Sequence, residues 1–124
     1  MQANQIATDE THNLIAADKV EGTAVYNREA KSIGAIRTVM LNKLNGRVAY
    51  AVLESGGFLG IGADYYPVPW EALKYSTELS GYVVDISGFD DAPRYPADTE
   101  PNWADRVFGE RLRRHYGLPD AAAL

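Results

Sequence analysis

The stretch that decides the fold is GRVAYAVLESGGFLGIGADYYPVPW, residues 46–70. Its first part alternates as a β-strand does, and both sets of alternating side chains are apolar. A strand that is apolar on both faces is typical of a central strand that is covered on each side. The two sets are Val48, Tyr50 and Val52 on one side, and Ala49, Ala51 and Leu53 on the other.

The second part of the stretch places several glycines around Phe58, Leu59 and Ile61. A glycine-rich loop binds phosphate where a helix begins, because the helix N-terminus supplies free amides and a favourable dipole. Here Pro67 and Pro69 follow instead, so we exclude a nucleotide-binding loop. Two interpretations remain for this segment. Either the glycines bend the chain across a small barrel whose end Phe58 and Leu59 cover, or these two side chains form an exposed contact patch. The spacing favours the first.

The prolines also restrict the Tyr-rich segment that ends at Trp70. Pro67 and Pro69 have no backbone N–H to donate to a strand ladder, so this segment is expected at the edge of the sheet. Trp70 is the largest side chain of the β region. We interpret it as part of the core or as a barrel plug rather than as a ligand platform, because a tryptophan contributes most by burying area.

Other segments on both sides show the alternation of short strands, with turn residues between them. Together with the stretch above they predict about five strands and a small all-β domain. The dipeptide Asn45-Gly46 predicts a two-residue hairpin turn, because both residues tolerate positive φ. In the strand before this turn, Ile36 and Met40 are expected to share one face. The segments are VEGTAVYN, IGAIRTVMLN, ADYYPVP and GYVVDIS.

The N-terminal residues 1–19 differ from the β domain, which we place at residues 20–95. They are polar and acidic and show no hydrophobic periodicity, so they predict a mobile arm. Leu14 and Ile15 are its candidate anchors on the domain. No basic leader or long apolar run is present, and we therefore expect no secretion signal and no integral membrane segment.

Residues 96–124 are interpreted as a linker, a C-terminal helix and a tail. The helical pattern lies in NWADRVFGERLRRHYGLP, with Asn102 or Thr99 as its expected cap and Gly117 as its end. Its apolar side chains, Trp103 and Phe108 among them, cover a broad arc that suits packing on the barrel or on another subunit. The basic cluster Arg106, Arg111, Arg113 and Arg114 is interpreted as a solvated helix face.

Composition excludes several classes of function. The chain has no cysteine and two histidines far apart, so thiolate chemistry and a metal site are not expected. No pattern of nucleophile and base is present, and we expect neither enzymatic activity nor a cofactor. The net charge of −5 argues against a nucleic-acid partner. The expected location is cytoplasmic, with a peripheral position at the inner membrane as the alternative.

Taken in order and spacing, VEGTAVYN, IGAI, GRVAYAVLESGGFLG, YYPVPWEALKY and GYVVDI resemble the PRC-barrel family. This family includes the cytoplasmic domain of the H subunit of bacterial photosynthetic reaction centres and the C-terminal domain of a ribosome maturation factor. The resemblance covers about residues 14–95, and the trailing W..RV......YG resembles stand-alone bacterial members. Two departures occur: Ala30-Lys31 stands where a Gly-Glu turn is usual, and Asp64-Tyr65 replaces an acidic-Lys pair.

The resemblance implies a mainly β fold, a small and strongly bent PRC-type β-barrel, here with a C-terminal α-helix. It also implies a non-enzymatic protein-interaction or adaptor module. We expect a homo-oligomer, a dimer first, because a small barrel gains by covering its open edges. The alternatives are a small-ligand-binding barrel and a peripheral component of a membrane-associated photosynthetic or stress-related complex. The candidate interaction residues are Phe58, Leu59, Tyr65, Tyr66, Trp70, Trp103 and Phe108.

Overall fold

The structure is a computed structural model that describes residues 13–56 and 64–119. Within them the chain is mainly β, with one longer helix near the C-terminus. The elements are α1 (Ala17–Val20), β1 (Ala24–Tyr26), β2 (Ser32–Leu41), β3 (Val48–Ser55), β4 (Asp64–Pro69), a 3-10 turn (Trp70–Ala72), β5 (Leu73–Ser76), β6 (Gly81–Val84), β7 (Tyr95–Pro96) and α2 (Arg106–His115).

The strands form one sheet in the order β5-β6-β1-β2-β3-β4-β7. Neighbours are antiparallel, except that β1 and β6 run parallel. The turn Trp70–Ala72 joins β4, near one edge, to β5 at the opposite edge. Three residues reach only about 10 Å, so the sheet must bend until its two ends come close together. The predicted fold class is confirmed, with the difference that no pair of described strands closes the barrel.

The bend wraps one face of the sheet, here called the inner face, around an apolar core. Leu73 of β5 and Val68 of β4 belong to the same core cluster, although their strands lie near opposite ends of the sheet order. Val25, Ile36 and Leu53 are at most 1 % exposed. Burying a side chain of this size stabilises the fold by about 1.5–3 kcal/mol.

A β-bulge in β2 decides which of its side chains face this core. Between Ile36 and Thr38 the pairing with β3 shifts by one residue, so Arg37 is an insertion in the ladder. Beyond the bulge Val39 packs against the inner core, whereas Met40 lies on the other face. The expectation that Ile36 and Met40 share a face is wrong, because regular alternation does not account for an inserted residue.

The hairpin tip, residues 42–47, joins β2 to β3 by a longer loop than predicted. Asn42 N donates to the carbonyl of Arg47 at 2.8 Å, and Gly46 N donates to the carbonyl of Asn42 at 2.8 Å. Within the tip positive φ occurs at Gly46 alone, at +78°, whereas the predicted turn needs it at Asn45 as well. The prediction of a hairpin is therefore confirmed, but the predicted two-residue turn is wrong, because the Asn42 side chain organises a longer loop. Its Oδ1 accepts from Leu44 N at 2.9 Å.

Strand β4 behaves as an edge strand over its second half. β7 pairs only with Asp64 and Tyr65, and the rest of β4 has no strand on that side. Pro67 and Pro69 therefore interrupt no ladder there, as expected for prolines in a strand.

The turn between β1 and β2 is organised by the buried Asn27. Its Oδ1 accepts from Glu29 N at 3.0 Å and from Lys31 N at 2.9 Å, and its Nδ2 donates to the carbonyl of Ser87 at 2.8 Å. Ala30 in this turn has φ +63°, in the left-handed region that glycine adopts most easily. The Gly-Glu pair usual in the resembled family would relieve this conformation.

The ends of the described chain differ in part from the prediction. α2 is capped by Asp105, whose Oδ1 accepts the backbone amide two residues on at 2.9 Å. Asn102, one of the two predicted caps, instead accepts from Ala104 N at 3.1 Å in the preceding turn. The predicted end at Gly117 is confirmed, with φ +71°.

At the N-terminal end Val20, and not the predicted pair, anchors the chain. Val20 is 6 % exposed in the inner core, whereas Leu14 is 81 % and Ile15 is 42 % exposed. The expectation that Leu14 and Ile15 anchor the arm is wrong, because the single turn of α1 brings Val20 to the core and leaves them in solvent.

Candidate functional site

Strand β3 is buried on both faces, as its two apolar sets predict. The face away from the inner core, here called the outer face, carries Tyr50 and Val52 beside two prolines of β4. Val52 is 1 % exposed, although it lies outside the inner core cluster. Residues 97–119, which we call the C-terminal arm, lie against this face: Trp103 contacts Tyr50, and Ala97 lines a cavity together with Val52. Helix α2 of this arm contacts β4, and its Leu112 is fully buried.

Aromatic side chains fill the space between the outer face and the arm. The ring centroid of Trp103 lies 5.8 Å from that of Tyr50, 6.0 Å from Tyr95 and 6.3 Å from Phe108. Tyr95 meets Tyr65 edge-to-face at 5.6 Å. Tilted and edge-to-face pairs of this kind contribute about 0.5–1.5 kcal/mol beyond their buried area. We call these five residues the outer-face cluster.

One ion pair fastens α2 to the turn Trp70–Ala72. The two terminal nitrogens of Arg113 donate to the two carboxylate oxygens of Glu71 at 3.3 and 3.2 Å, and its Nε donates to the carbonyl of Pro119. Arg113 is 9 % exposed. Burial by itself raises the pKa of Glu71, but the hydrogen bonds and charge of Arg113, with a backbone hydrogen bond, hold that pKa below its usual value. The pair is therefore charged at neutral pH.

A groove of about 650 Å³ runs between the hairpin tip and this ion pair. It is lined by Tyr50 and Trp70, by the ion pair, and by Asn42 and Arg47 of the tip. A second cavity of about 420 Å³ continues along the start of α2 and shares Tyr50 and Arg113 with the groove. The two cavities thus bring tyrosine, tryptophan and arginine side chains to one concave surface.

The hairpin tip beside the groove exposes apolar side chains. Leu44 is 93 % exposed, and Leu41 at the end of β2 is 58 % exposed. Lys43 and Arg47 flank Leu44, and within residues 13–56 and 64–119 neither forms an ion pair. The tip therefore presents a leucine between two unpaired cations.

The arm contains buried polar groups in two places, at the outer-face cluster and, through Tyr116, against the inner core. Two buried polar atoms, Trp103 Nε1 and the hydroxyl of Tyr116, have no hydrogen-bond partner in the described part of the chain. Such a group costs about 1–3 kcal/mol. Burial, with a smaller contribution from Tyr66, raises the pKa of Tyr116, so its hydroxyl stays neutral.

One protein family has a model that matches this chain. It is the PRC-barrel domain, and the match covers residues 12–90, more than half of the 124 residues. The chain belongs to the PRC-barrel family. No curated protein matches the chain. The matched region includes every strand from β1 to β6, whereas the C-terminal arm lies beyond it. In this PRC domain, therefore, the cover of the outer face lies outside the family's shared region.

The PRC domain brings three of the predicted interaction residues together. Tyr65, Trp103 and Phe108 belong to the outer-face cluster and are all half-buried. Arg37 lies over the ring of Tyr65 at 5.0 Å from its centroid, which covers part of the ring. A role of these three residues in binding stays a prediction. In the structure their rings take part in the contacts between the outer face and the C-terminal arm.

The other predicted residues lie apart from this cluster. Tyr66 is 6 % exposed in the inner core and stacks on Phe89 at 4.3 Å. Trp70 is half-buried against Tyr82, with ring centroids 5.4 Å apart, and its remaining surface lines the groove. The interpretation of Trp70 as a core residue is therefore confirmed. Part of its side chain also faces the groove. Phe58 and Leu59 lie outside the described residues.

Sequence reasoning missed Tyr50, Glu71, Arg113 and Leu44. The interpretation of Arg113 as part of a solvated helix face is wrong, because its side chain is buried against Glu71. One signal was available: Gly109 lies four residues earlier on the same side of the helix, where a small residue leaves room for close packing. A Cβ at Gly109 would lie 3.2 Å from the Tyr50 hydroxyl.

Two further observations concern only the part of the chain that the structure describes. No three His, Asp or Glu side chains there stand close enough together to hold a metal ion. None of the described helices has the length and apolar character to cross a bilayer.

Proposed function

We propose that this PRC domain is a non-enzymatic, cytoplasmic protein-interaction module that self-associates and needs no cofactor. The observation that supports it best is the groove, which brings Trp70, Tyr50 and Arg113 to one concave surface beside the exposed Leu44. Tryptophan, tyrosine and arginine are the residues that most often dominate binding energy at protein interfaces. Membership of the PRC-barrel family supports the same class of function.

Self-association is supported by two exposed features away from the groove. Among the described strands β5 pairs only with β6, so its other side has no described strand partner, and a sheet edge gains by being covered. Val107 on α2 is 64 % exposed. Light scattering should therefore give a mass above the 13.6 kDa of one chain. Val107→Asp, or Tyr75→Lys on β5, should return the protein to a monomer.

These point variants test the proposal better than removal of residues 101–124. That deletion should also weaken the assembly, but it removes the fully buried Leu112 and thereby lowers stability. Lys31→Glu, an exposed charge change in the β1–β2 turn and outside β5 and α2, serves as the control for altered charge. A wild-type protein that stays monomeric at high concentration would refute self-association.

A ligand-binding role is the second candidate, because the groove volume of about 650 Å³ lies in the range of small-molecule sites. A ligand that binds the native state raises the melting temperature by mass action. Thermal-shift screening with metabolites therefore separates the two functions. A metabolite shift that Trp70→Ala abolishes would favour the ligand site, whereas crosslinked proteins recovered from cells without any shift favour the interaction module.

The place of the protein in the cell is tested by fractionation of a native lysate. We propose that it remains in the supernatant with the cytoplasmic proteins. Recovery with the membranes, and release by salt, would instead support a peripheral component of a membrane-associated complex.

A further inference from the structure

The β2–β3 hairpin is a basic element in an acidic protein. Residues 32–55, which form the hairpin, contain Arg37, Lys43 and Arg47 and one acidic residue, Glu54, which gives a formal charge of +2. The whole chain has a formal charge of −5, so the remaining residues together carry −7. Such separation of charge steers the encounter with partners and selects among them.

The unpaired part of this charge is at the hairpin tip. Arg37 lies 3.9 Å from Glu54 and covers the ring of Tyr65, so its charge is partly balanced. Lys43 and Arg47 have no carboxylate partner among the described residues. Between them Leu44 is 93 % exposed. A single exposed leucine is ordinary, but here it stands between these cations and next to Asn42, Asn45 and Arg47, which line the groove.

The tip is also held in one conformation. Its two ends are joined by the hydrogen bond from Asn42 N to the carbonyl of Arg47 at 2.8 Å. The Oδ1 of Asn42 accepts from Leu44 N at 2.9 Å and from Asn45 N at 3.3 Å. A preformed loop loses little conformational entropy when a partner binds, so the exposed leucine is available at low cost.

We propose that the hairpin tip and the adjoining groove bind an acidic segment of another protein, one that carries apolar residues between its carboxylates. This rests on the proposed function and names its partner class. The carboxylates pair with Lys43 and Arg47, and an apolar residue of the segment packs on Leu44 and on the exposed part of Trp70. Glu71 does not repel such a segment, because Arg113 neutralises it.

A protein segment fits these observations better than an anionic membrane. The groove is concave, and its lining by Trp70 and Tyr50 is reached by a chain and not by a flat bilayer. The charge of −7 outside the hairpin would also be repelled by anionic lipid, whereas a short segment meets only the tip.

The test measures fluorescence anisotropy of two labelled peptides with the full-length protein. One peptide alternates Asp or Glu with Leu, and the second replaces each carboxylate by its amide. We expect the acidic peptide to bind and the amide peptide to bind much more weakly. Binding should weaken steadily as salt is raised, because the charges at the tip are exposed.

Three variants locate the site. Lys43→Glu together with Arg47→Glu should weaken binding of the acidic peptide at least about tenfold, and Leu44→Ser by several-fold. Arg111→Glu together with Arg114→Glu makes the same change of charge on exposed positions of α2 and should leave binding nearly unchanged. Circular dichroism confirms the fold of each variant.

Four results would overturn the inference. They are failure of the acidic peptide to bind, an equal loss of binding in the α2 control pair, Leu44-dependent binding to anionic vesicles that exceeds binding to the peptide, and loss of self-association when Lys43 and Arg47 are reversed. The last would identify a second copy of this chain as the occupant. The proposed function stands or fails separately, on light scattering of wild type and Val107→Asp.

Discussion

Strand β3 buries one face in the inner core and the other beneath the C-terminal arm. The inner face belongs to a cluster of aliphatic and aromatic side chains that, apart from Ala92, come from the matched residues 12–90, and Tyr116 of the arm packs against this cluster. The arm contributes an ion pair and two buried polar atoms that have no partner among the described residues, Trp103 Nε1 in the outer-face cluster and the Tyr116 hydroxyl. The difference indicates that the PRC fold is specified by the inner core, whereas the arm is a second layer attached by fewer and more polar contacts.

The largest expected effects come from truncating one buried leucine in the inner core and one in the C-terminal arm. Leu53 and Leu112 are both fully buried, and Leu→Ala at such sites costs about 2–5 kcal/mol. We expect Leu53→Ala to lie near the upper end and Leu112→Ala near the lower, because the arm can relax. Urea unfolding gives both free energies.

The two tryptophans report the layers separately. Trp70 packs on the inner core and Trp103 belongs to the outer-face cluster, so Trp103→Phe and Trp70→Phe leave one probe each. In Leu112→Ala the Trp103 signal should change at lower urea than the Trp70 signal. Coincident transitions in that variant would mean that the two layers unfold as one unit, and the comparison would fail.

The ion pair should make attachment of the arm depend on pH. Glu71→Gln leaves Arg113 buried without its carboxylate partner and should cost about 1–2 kcal/mol at neutral pH, since Glu71 itself is half-exposed. The pKa of Glu71 is lower in the folded than in the unfolded protein. Its contribution is therefore present above the unfolded pKa, about 4.3, and is lost as pH falls through the lowered folded value.

Thermal unfolding between neutral and acidic pH checks this prediction. Glu71→Gln should reduce the acid-dependent loss of stability, whereas Glu78→Gln, an exposed change with no ion pair in the described structure, should not. Equal acid sensitivity of wild type and Glu71→Gln would argue against the role of the pair.

Tyr116→Phe tests the incomplete fit of the arm. It removes a buried hydroxyl that has no partner among the described residues and should stabilise the protein by about 0.5–1 kcal/mol. Burial raises the folded pKa of Tyr116, so its contribution is present below the unfolded pKa, about 10, and is lost as pH rises above it.

The phenylalanine variant should therefore lose less stability than wild type in alkaline solution, measured by denaturant unfolding. Tyr26→Phe, on a half-buried strand residue, is the matched control. A destabilised Tyr116→Phe variant would show that the hydroxyl is satisfied in solution.

The smallest expected effect concerns a turn of the inner layer. Ala30 has φ +63°, so Ala30→Gly should relieve backbone strain and stabilise by about 0.5 kcal/mol after the greater freedom of unfolded glycine is included. Ala49→Gly in the extended strand β3 should instead destabilise by about 0.5–1 kcal/mol. Chemical denaturation of both variants checks the sign, and a destabilised Ala30→Gly would contradict the prediction.

Much of the inner layer could be predicted from the sequence, because its signals are local. The alternation of Val48 to Leu53 identifies a central strand, and Pro67 and Pro69 identify an edge. The bulge at Arg37 could not be predicted, because an inserted residue leaves no mark in an apolar pattern. The turn type at Asn45 was missed because the side chain of Asn42 competes for the same backbone amides.

The candidate site was harder to predict, because it joins parts of the chain that are far apart. Trp70 and Trp103 stand out by size, but Arg113 pairs with Glu71, which lies 42 positions earlier, and no local pattern in the sequence indicates this contact. The exposure of Leu44 likewise depends on how the tip projects from the bent sheet. The sequence shows the charge and size of each side chain, whereas the contacts between distant side chains depend on the fold.

The parallel pairing of β1 with β6 sets the order in which a nascent chain can fold. Val25 pairs with Tyr82, so β1 lacks this neighbour until most of the domain has left the ribosome. At about 5–20 residues per second this delay lasts several seconds, whereas β2 and β3 are joined by a short turn and can pair at once. The strands β1, β2 and β3, with the exposed Leu44 at their second turn, can therefore pair before the rest of the sheet has been synthesised.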